Sequence, residues 1–144
     1  MIYGIYGLEG LLLFLAGMED LRKKEVHIIY IITIGMIAVC GCFLRQNYSW
    51  YGALGGFFIG LCMIGISQIS GEQIGKGDGM IIAALGVFCG VRDTLGIVCF
   101  ASIFMLVPAF VLLISKKGSK KTRLPFLPAL FLGYVTSLLV GGSI

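Results

Sequence analysis

The sequence predicts an all-α, polytopic membrane bundle of about six helices joined by short loops, and three observations predict it. Apolar residues make up 58% of the 144 residues, charged residues only 12%, and mean hydropathy is +1.02; a water-soluble domain carries about 25% charged residues. The apolar residues are gathered into runs at 2–18, 28–44, 50–69, 79–91, 94–115 and 124–143. Most of these runs approach the roughly 20 residues that cross about 30 Å of hydrocarbon. Basic residues alternate between dense and sparse from one loop to the next. The length leaves room for one domain, residues 1–144.

The first run ends in Met18-Glu19-Asp20-Leu21-Arg22-Lys23-Lys24. It has no basic segment before it and no small-residue cleavage site, so a retained span is expected rather than a signal peptide. The second follows His27 and carries no charge until Arg45. In the third, Gly52, Gly56 and Gly60 recur every four residues, with Gly55 beside them. That spacing forms a groove into which a neighbouring helix can pack closely, which matters where lipid supplies no hydrophobic drive between helices. The fourth run offers small residues of its own at Ala83, Ala84, Gly86 and Gly90. At about 1.5 Å per residue it reaches only about 20 Å, so it must extend back into the Gly-rich segment before it, or the bilayer must thin. The fifth run follows Arg92, and the sixth opens with Leu124-Pro125-Phe126-Leu127-Pro128.

Orientation follows from lysine and arginine. Arg22, Lys23, Lys24, Lys76, Lys116, Lys117, Lys120, Lys121 and Arg123 lie in odd-numbered loops; only Arg45 and Arg92 lie in even-numbered ones. The odd-numbered loops are therefore expected to be cytoplasmic and both termini outside. The basic fifth loop reads as an anchor on anionic lipid rather than a nucleic-acid site. Cys40, Cys42, Cys62, Cys89 and Cys99 all fall in apolar runs and include no C-x-x-C pair, so neither a disulfide framework nor a structural metal is expected.

Two acids carry the functional argument. Asp20 ends the first run, and Asp78 sits in Gly75-Lys76-Gly77-Asp78-Gly79 where the fourth begins. The topology brings both to one level at the cytoplasmic face. Acids at such a depth are costly and are kept for function or paired. Two nearby carboxylates share one proton; the ionised one activates water while the protonated one polarises a carbonyl. That equips a site for peptide hydrolysis without a metal. The other reading makes both acids ordinary boundary residues solvated beside lysines, and the residues alone do not choose. Asp78 at a helix N-terminus and Asp20 at a helix C-terminus predict Asp78 ionised and Asp20 protonated.

The residues resemble the prepilin peptidase family of membrane aspartate proteases at three places. Asp20-Leu21-Arg22-Lys23-Lys24-Glu25-Val26 is similar to the family's aspartate, basic stretch and aliphatic residue. Gly75-Lys76-Gly77-Asp78, followed by Met80-Ile81-Ile82-Ala83-Ala84-Leu85-Gly86, resembles its GxGD motif and apolar helix. Leu124-Pro125-Phe126-Leu127-Pro128-Ala129-Leu130 with Gly133 resembles the Pro-Phe-x-Pro stretch opening its last span. The resemblance implies an aspartic endopeptidase of the prokaryotic cytoplasmic membrane, without a cofactor, that removes the basic leader of prepilin-like proteins at the cytoplasmic face. It implies catalytic roles for Asp20 and Asp78, and site-shaping roles for Gly75, Gly77, Pro125 and Pro128. The chain departs from the family at His27-Ile28, where Pro-Asn is usual, and at Met80, where Lys is frequent. Nothing in it corresponds to the cysteine-bearing portion of larger members, so a peptidase without methyltransferase activity is expected, as in the compact forms of tight-adherence-type pilus systems.

The remaining polar residues are weighed individually. Glu9, Leu13, Ala16 and Asp20 share one helical face, which should look into the bundle, and Glu9 is expected to be a structural acid, about 16 Å from Asp20. Glu19, Glu25 and Glu72 either attract a basic leader or pair with Arg22, Lys23 and Lys24. His27 is expected to face solvent or headgroups. Rival readings are a non-enzymatic membrane component, such as a small transporter or pilus-assembly subunit, and a presenilin-like protease, which shares the GxGD label and Pro128-Ala129-Leu130. Transporters generally hold their acids near the midplane between repeats, whereas here both acids sit at one face and no repeat is seen.

Overall fold

The chain's computed structural model describes residues 2–23, 27–44, 49–69, 75–114 and 125–141. These form six helices and no strand: α1 (Ile2–Lys23), α2 (Ile28–Leu44), α3 (Trp50–Ile69), α4 (Lys76–Cys89), α5 (Val91–Ile114) and α6 (Leu127–Gly141). Each apolar run has its helix. Two of them, Trp50–Ile69 and Val91–Val111, are long and apolar enough to cross a membrane; Ile28–Leu44 and Leu127–Val140 are apolar but shorter.

Two boundaries differ from the sequence reading. The fourth helix does reach back into the Gly-rich segment, starting at Lys76, so Asp78 stands in its first turn rather than before it. The break after it falls at Gly90, not near Arg92. Gly90 has φ 85°, a conformation open to glycine at little cost, and its N–H still donates to the Gly86 carbonyl at 3.0 Å. The chain turns on this one residue. Arg92 and Asp93 consequently lie in the first turn of α5, where an acid suits the helix dipole.

Helix α4 is the centre of the bundle, with nine of its fourteen residues buried, including Ile81, Ile82, Leu85 and Phe88. The glycine groove of α3 closes on it. A Cβ at Gly56 would fall on the Gly86 carbonyl, and one at Gly60 on the Ala83 backbone; these glycines are there for helix contact, as their spacing predicts. On another side Gly41 of α2 makes room for the Phe88 ring, which would lie 2.5 Å from a Cβ there. Tyr6 of α1 meets the same ring, centroids 4.8 Å apart. Helix α6 packs on α5 through Gly133, against the Ala101 backbone, and on α1 through Gly10 and Gly17, against Tyr134 and Pro128. Small residues thus set most of the helix–helix distances.

Candidate active site

Asp20 lies in the last turn of α1, on the face that also buries Glu9, Leu13 and Ala16. The face predicted from the 3.6-residue period is the one turned inward. Asp78 lies in the first turn of α4. Both carboxylates are buried, with only 6% and 4% of their surfaces exposed. They are close enough for the charge of Asp20 to raise the proton affinity of Asp78. Two acids 58 positions apart in the chain therefore lie buried within electrostatic reach of each other.

The two are held differently. Asp20 Oδ2 accepts a hydrogen bond from the Leu127 backbone N–H at 3.4 Å. Leu127 is the first residue of α6, so the unpaired N–H end of that helix, with its partial positive charge, faces the carboxylate. Burial raises the affinity of Asp20 for its proton, and the Leu127 bond opposes the rise. Asp78 is pushed further, to about 7, by burial first and the Asp20 charge second, with a backbone hydrogen bond from Gly75 opposing. Both acids thus hold a proton more strongly than a free carboxylate does, Asp78 the more so.

The glycines about Asp78 have distinct duties. Gly75 is extended (φ −63°, ψ 130°) and caps α4 without a side chain. A Cβ on it would sit 3.1 Å from Asp78 Oδ2, tight enough to displace the carboxylate. Gly79 lets Ile64 of α3 lie against the helix, since a Cβ there would meet Ile64 Cγ1 at 2.6 Å. Gly77 is half-buried within the first turn. Pro128 packs against Gly17 of α1, and Pro125 is half-buried ahead of α6. Together they fix where α6 starts, and hence where its N–H groups point.

The outer acids part company with the inner pair. Glu19 pairs with Lys23 at 2.8 Å and with His27 Nε2 at 3.2 Å, so of its two sequence readings the structure has the pairing one. The Lys23 hydrogen bond holds its carboxyl below the usual range. His27 is exposed as expected, but it has this acid as a partner, which its sequence context does not reveal. Glu25 and Glu72 lie outside the described residues. Met80 is exposed, on the side of α4 away from the buried acids. Among the described residues, no three His, Cys, Asp or Glu side chains converge as a metal set would require.

Sequence reasoning did not find the Leu127 N–H. Pro128 in the first turn of a helix signals a helix start with free donors, but not the acceptor 107 positions away.

Comparison with protein families matches residues 8–110 to the type IV leader peptidase family. The matched region contains Asp20, Asp78 and the whole Gly75–Asp78 segment, while the proline stretch before α6 lies beyond it. No curated protein and no solved structure matches the chain.

Proposed function

This chain belongs to the type IV leader peptidase family, and from that premise we propose that it is a membrane aspartic endopeptidase cutting the basic leader from prepilin-like proteins. The observation that carries the reading is the pair of buried carboxylates, Asp20 and Asp78, coupled across α1 and α4 within the matched region. Burial without mutual charge would suit structural acids. Burial with coupling gives the unequal pair that acid–base chemistry needs.

The division of labour follows from the surroundings. Asp20, the anion held by Leu127, takes a proton from a water molecule as that water attacks the scissile carbonyl carbon. Asp78, holding its proton, donates to the carbonyl oxygen as negative charge develops there. When the tetrahedral intermediate collapses, the C–N bond breaks, the proton taken by Asp20 passes to the leaving amine, and Asp78 recovers its proton from the hydroxyl whose C=O re-forms. Neither metal nor cofactor enters these steps. Gly75 and Gly77 keep the approach to Asp78 free of side chains, so an extended backbone can come near.

The membrane is the proposed solvent, with 1–144 as one membrane-embedded peptidase domain of six spans in a prokaryotic cytoplasmic membrane. The outer face of α5 exposes Leu106, Val107, Phe110 and Val111, more contiguous apolar surface than water tolerates on a monomer. Helix α4, about 21 Å long, is too short to span alone, but it is wrapped by its neighbours and need not match the lipid thickness. The excess of basic residues in odd-numbered loops puts the acid pair on the cytoplasmic side, where a leader would be presented. Family membership favours this reading over a transporter or an assembly subunit. The departures at His27 and Met80 are both exposed and leave the pair intact.

The test is cleavage in membranes of pilin-like proteins bearing a basic leader, read by mass spectrometry of the new N-terminus. Wild type should make one defined cut that disappears in Asp20→Ala and Asp78→Ala. A cut that persists without either acid would overturn the mechanism.

A further inference from the structure

Glycine is less favourable than alanine in a helix interior, so a buried glycine in α1 needs a reason. Gly17 is buried one turn before Asp20. A Cβ there would lie 3.3 Å from the Pro128 nitrogen, 3.4 Å from Pro128 Cα and 3.5 Å from the Leu127 carbonyl carbon. All three are backbone atoms, which yield only if the start of α6 itself moves. They belong to the residue that donates to Asp20 Oδ2 and to the one after it. The first bond within α6 runs from the Leu130 N–H to the Phe126 carbonyl at 2.9 Å, so the Leu127 N–H has no acceptor in its own helix. Pro128 has no N–H to offer in its place. The bond to Asp20 also has no slack. At 3.4 Å it is already longer than the ordinary range of about 2.7–3.2 Å, and the crowding of a Cβ would push α6 back by a few tenths of an ångström.

We infer that Gly17 is a positioning residue for the proposed reaction: its missing side chain lets α6 begin close enough to α1 for the Leu127 N–H to reach Asp20. The inference rests on the leader-peptidase reading for its effect on cleavage, while its effect on Asp20 needs no substrate. Gly10 separates it from simple helix packing. It sits two turns earlier on the same face of α1 and against the same helix, and a Cβ there would also fall 3.3 Å from its nearest neighbour. That neighbour is the Tyr134 ring, a side chain, at a level about 15 Å along the helix from Asp20. Equal crowding therefore meets the Leu127–Pro128 peptide at one glycine and a distant ring at the other. The charged groups around Asp20 are the same in both cases. They are Asp78 from α4, exposed Lys76 and Arg22, and the Glu19, Lys23 and His27 set with Tyr30 of α2 beside it. Helix α6 brings no titratable side chain before Tyr134.

Two measurements test this. Infrared titration of the Asp20 carboxyl, in an Asp78→Asn background that removes the coupled acid, reads the bond directly. The Leu127 bond opposes the rise that burial causes, so Gly17→Ala should move protonation of Asp20 to higher pH, and Gly10→Ala should leave it in place. Leu127→Pro deletes the N–H at a helix position that accepts proline, leaves α1 untouched, and should shift Asp20 in the same direction. A titration that Gly17→Ala leaves in place, that Gly10→Ala moves as far, or that Leu127→Pro fails to move overturns the inference. The second measurement is cleavage with Asp78 restored. Gly17→Ala should lower kcat about tenfold on the acid limb of the pH–rate profile, the loss that follows removal of a hydrogen bond to a charged group. KM and the alkaline limb should stay as in wild type, and Gly10→Ala should keep the whole wild-type profile. A loss of equal size in both variants, uniform across pH, would assign Gly17 to packing alone. If the wild-type chain cuts no leader, the peptidase reading fails by itself, and the infrared shift still decides whether Gly17 positions the donor.

Discussion

Helix α1 carries two buried acids on one face, and they lie in different surroundings. Asp20, near its end, has a helix N-terminus donating to it and a second carboxylate close by. Glu9, about 16 Å away along the helix, is fully buried, and among the described residues no donor lies within hydrogen-bond geometry of either oxygen. Tyr134 stands beside it, but a hydroxyl has one proton to give, and it goes to the Tyr6 carbonyl at 3.0 Å. Burial alone therefore does not distinguish the proposed catalytic acids from Glu9. What sets the aspartate pair apart among the described residues is a backbone donor to Asp20 and a second carboxylate within electrostatic reach.

The sharpest way to break that comparison is to neutralise each acid in turn. Asp20→Asn and Asp78→Asn should each lower the cleavage rate by about 10³-fold or more, because each removes one half of the proton exchange. Glu9→Gln should leave it within about threefold of wild type, a change worth less than about 1 kcal/mol in the barrier. Initial rates on one leader-bearing substrate in matched membranes decide it. A Glu9→Gln variant as inactive as the aspartate variants would move Glu9 into the machinery.

The pH profile comes next. Asp78 must be protonated to donate, and its affinity is raised to about 7, so the rate should fall about tenfold per pH unit once that proton is lost. Stability has a related dependence. Between the ordinary value of 3.8 and about 7 the folded chain holds a proton that the unfolded chain has released, so folding weakens as pH rises through that window and levels off above it. Asp78→Asn removes this penalty. It should be more stable than wild type at pH 8, by on the order of a few kcal/mol, and no more stable near pH 4. Thermal unfolding in detergent at the two pH values measures this, and an Asn variant that is less stable at both would contradict the burial argument.

The sequence contains the outline of this arrangement but not the feature that sets its polarity. Six apolar runs and the four-residue glycine period gave the helices and the α3–α4 contact, because periodicity is local and sterics are short-ranged. The inward face of α1 was legible for the same reason. The partner of Asp20 was not, since a backbone N–H has no signature of its own and the donor lies on the last helix. The division of the proton proposed here between Asp20 and Asp78 depends on that donor, and so departs from the one expected from the helix ends. The partnership of His27 with Glu19 was hidden likewise, because the two residues lie on either side of the α1 end, where helical periodicity no longer relates them.

A smaller effect tests the inert member of the comparison. Replacing Glu9 by leucine removes a carboxyl that forms no hydrogen bond and leaves the Tyr134–Tyr6 bond in place. Exchanging an unsatisfied buried polar group for an apolar one of similar shape is neutral or stabilising, so unfolding should shift by about 0–2 kcal/mol in the stabilising direction. A marked loss of stability in Glu9→Leu would mean that the carboxyl has a partner the described residues do not supply, such as a bound water.

The smallest effect is expected at the rim, where Glu19 stands one residue from Asp20. Its carboxyl is engaged by Lys23 and His27, so it is less available to a basic leader than its position suggests. Exposed pairs of this kind contribute little and are screened by salt. Glu19→Gln should therefore change kcat/KM by less than about threefold at physiological ionic strength. If Glu19 instead greets the leader, its loss should raise KM, leave kcat unchanged, and abolish the salt dependence of KM. Measuring KM at low and high salt for both proteins distinguishes the two. A salt dependence that survives the substitution assigns the steering to other charges near the acid pair and leaves Glu19 as the residue that ties the end of α1 to His27.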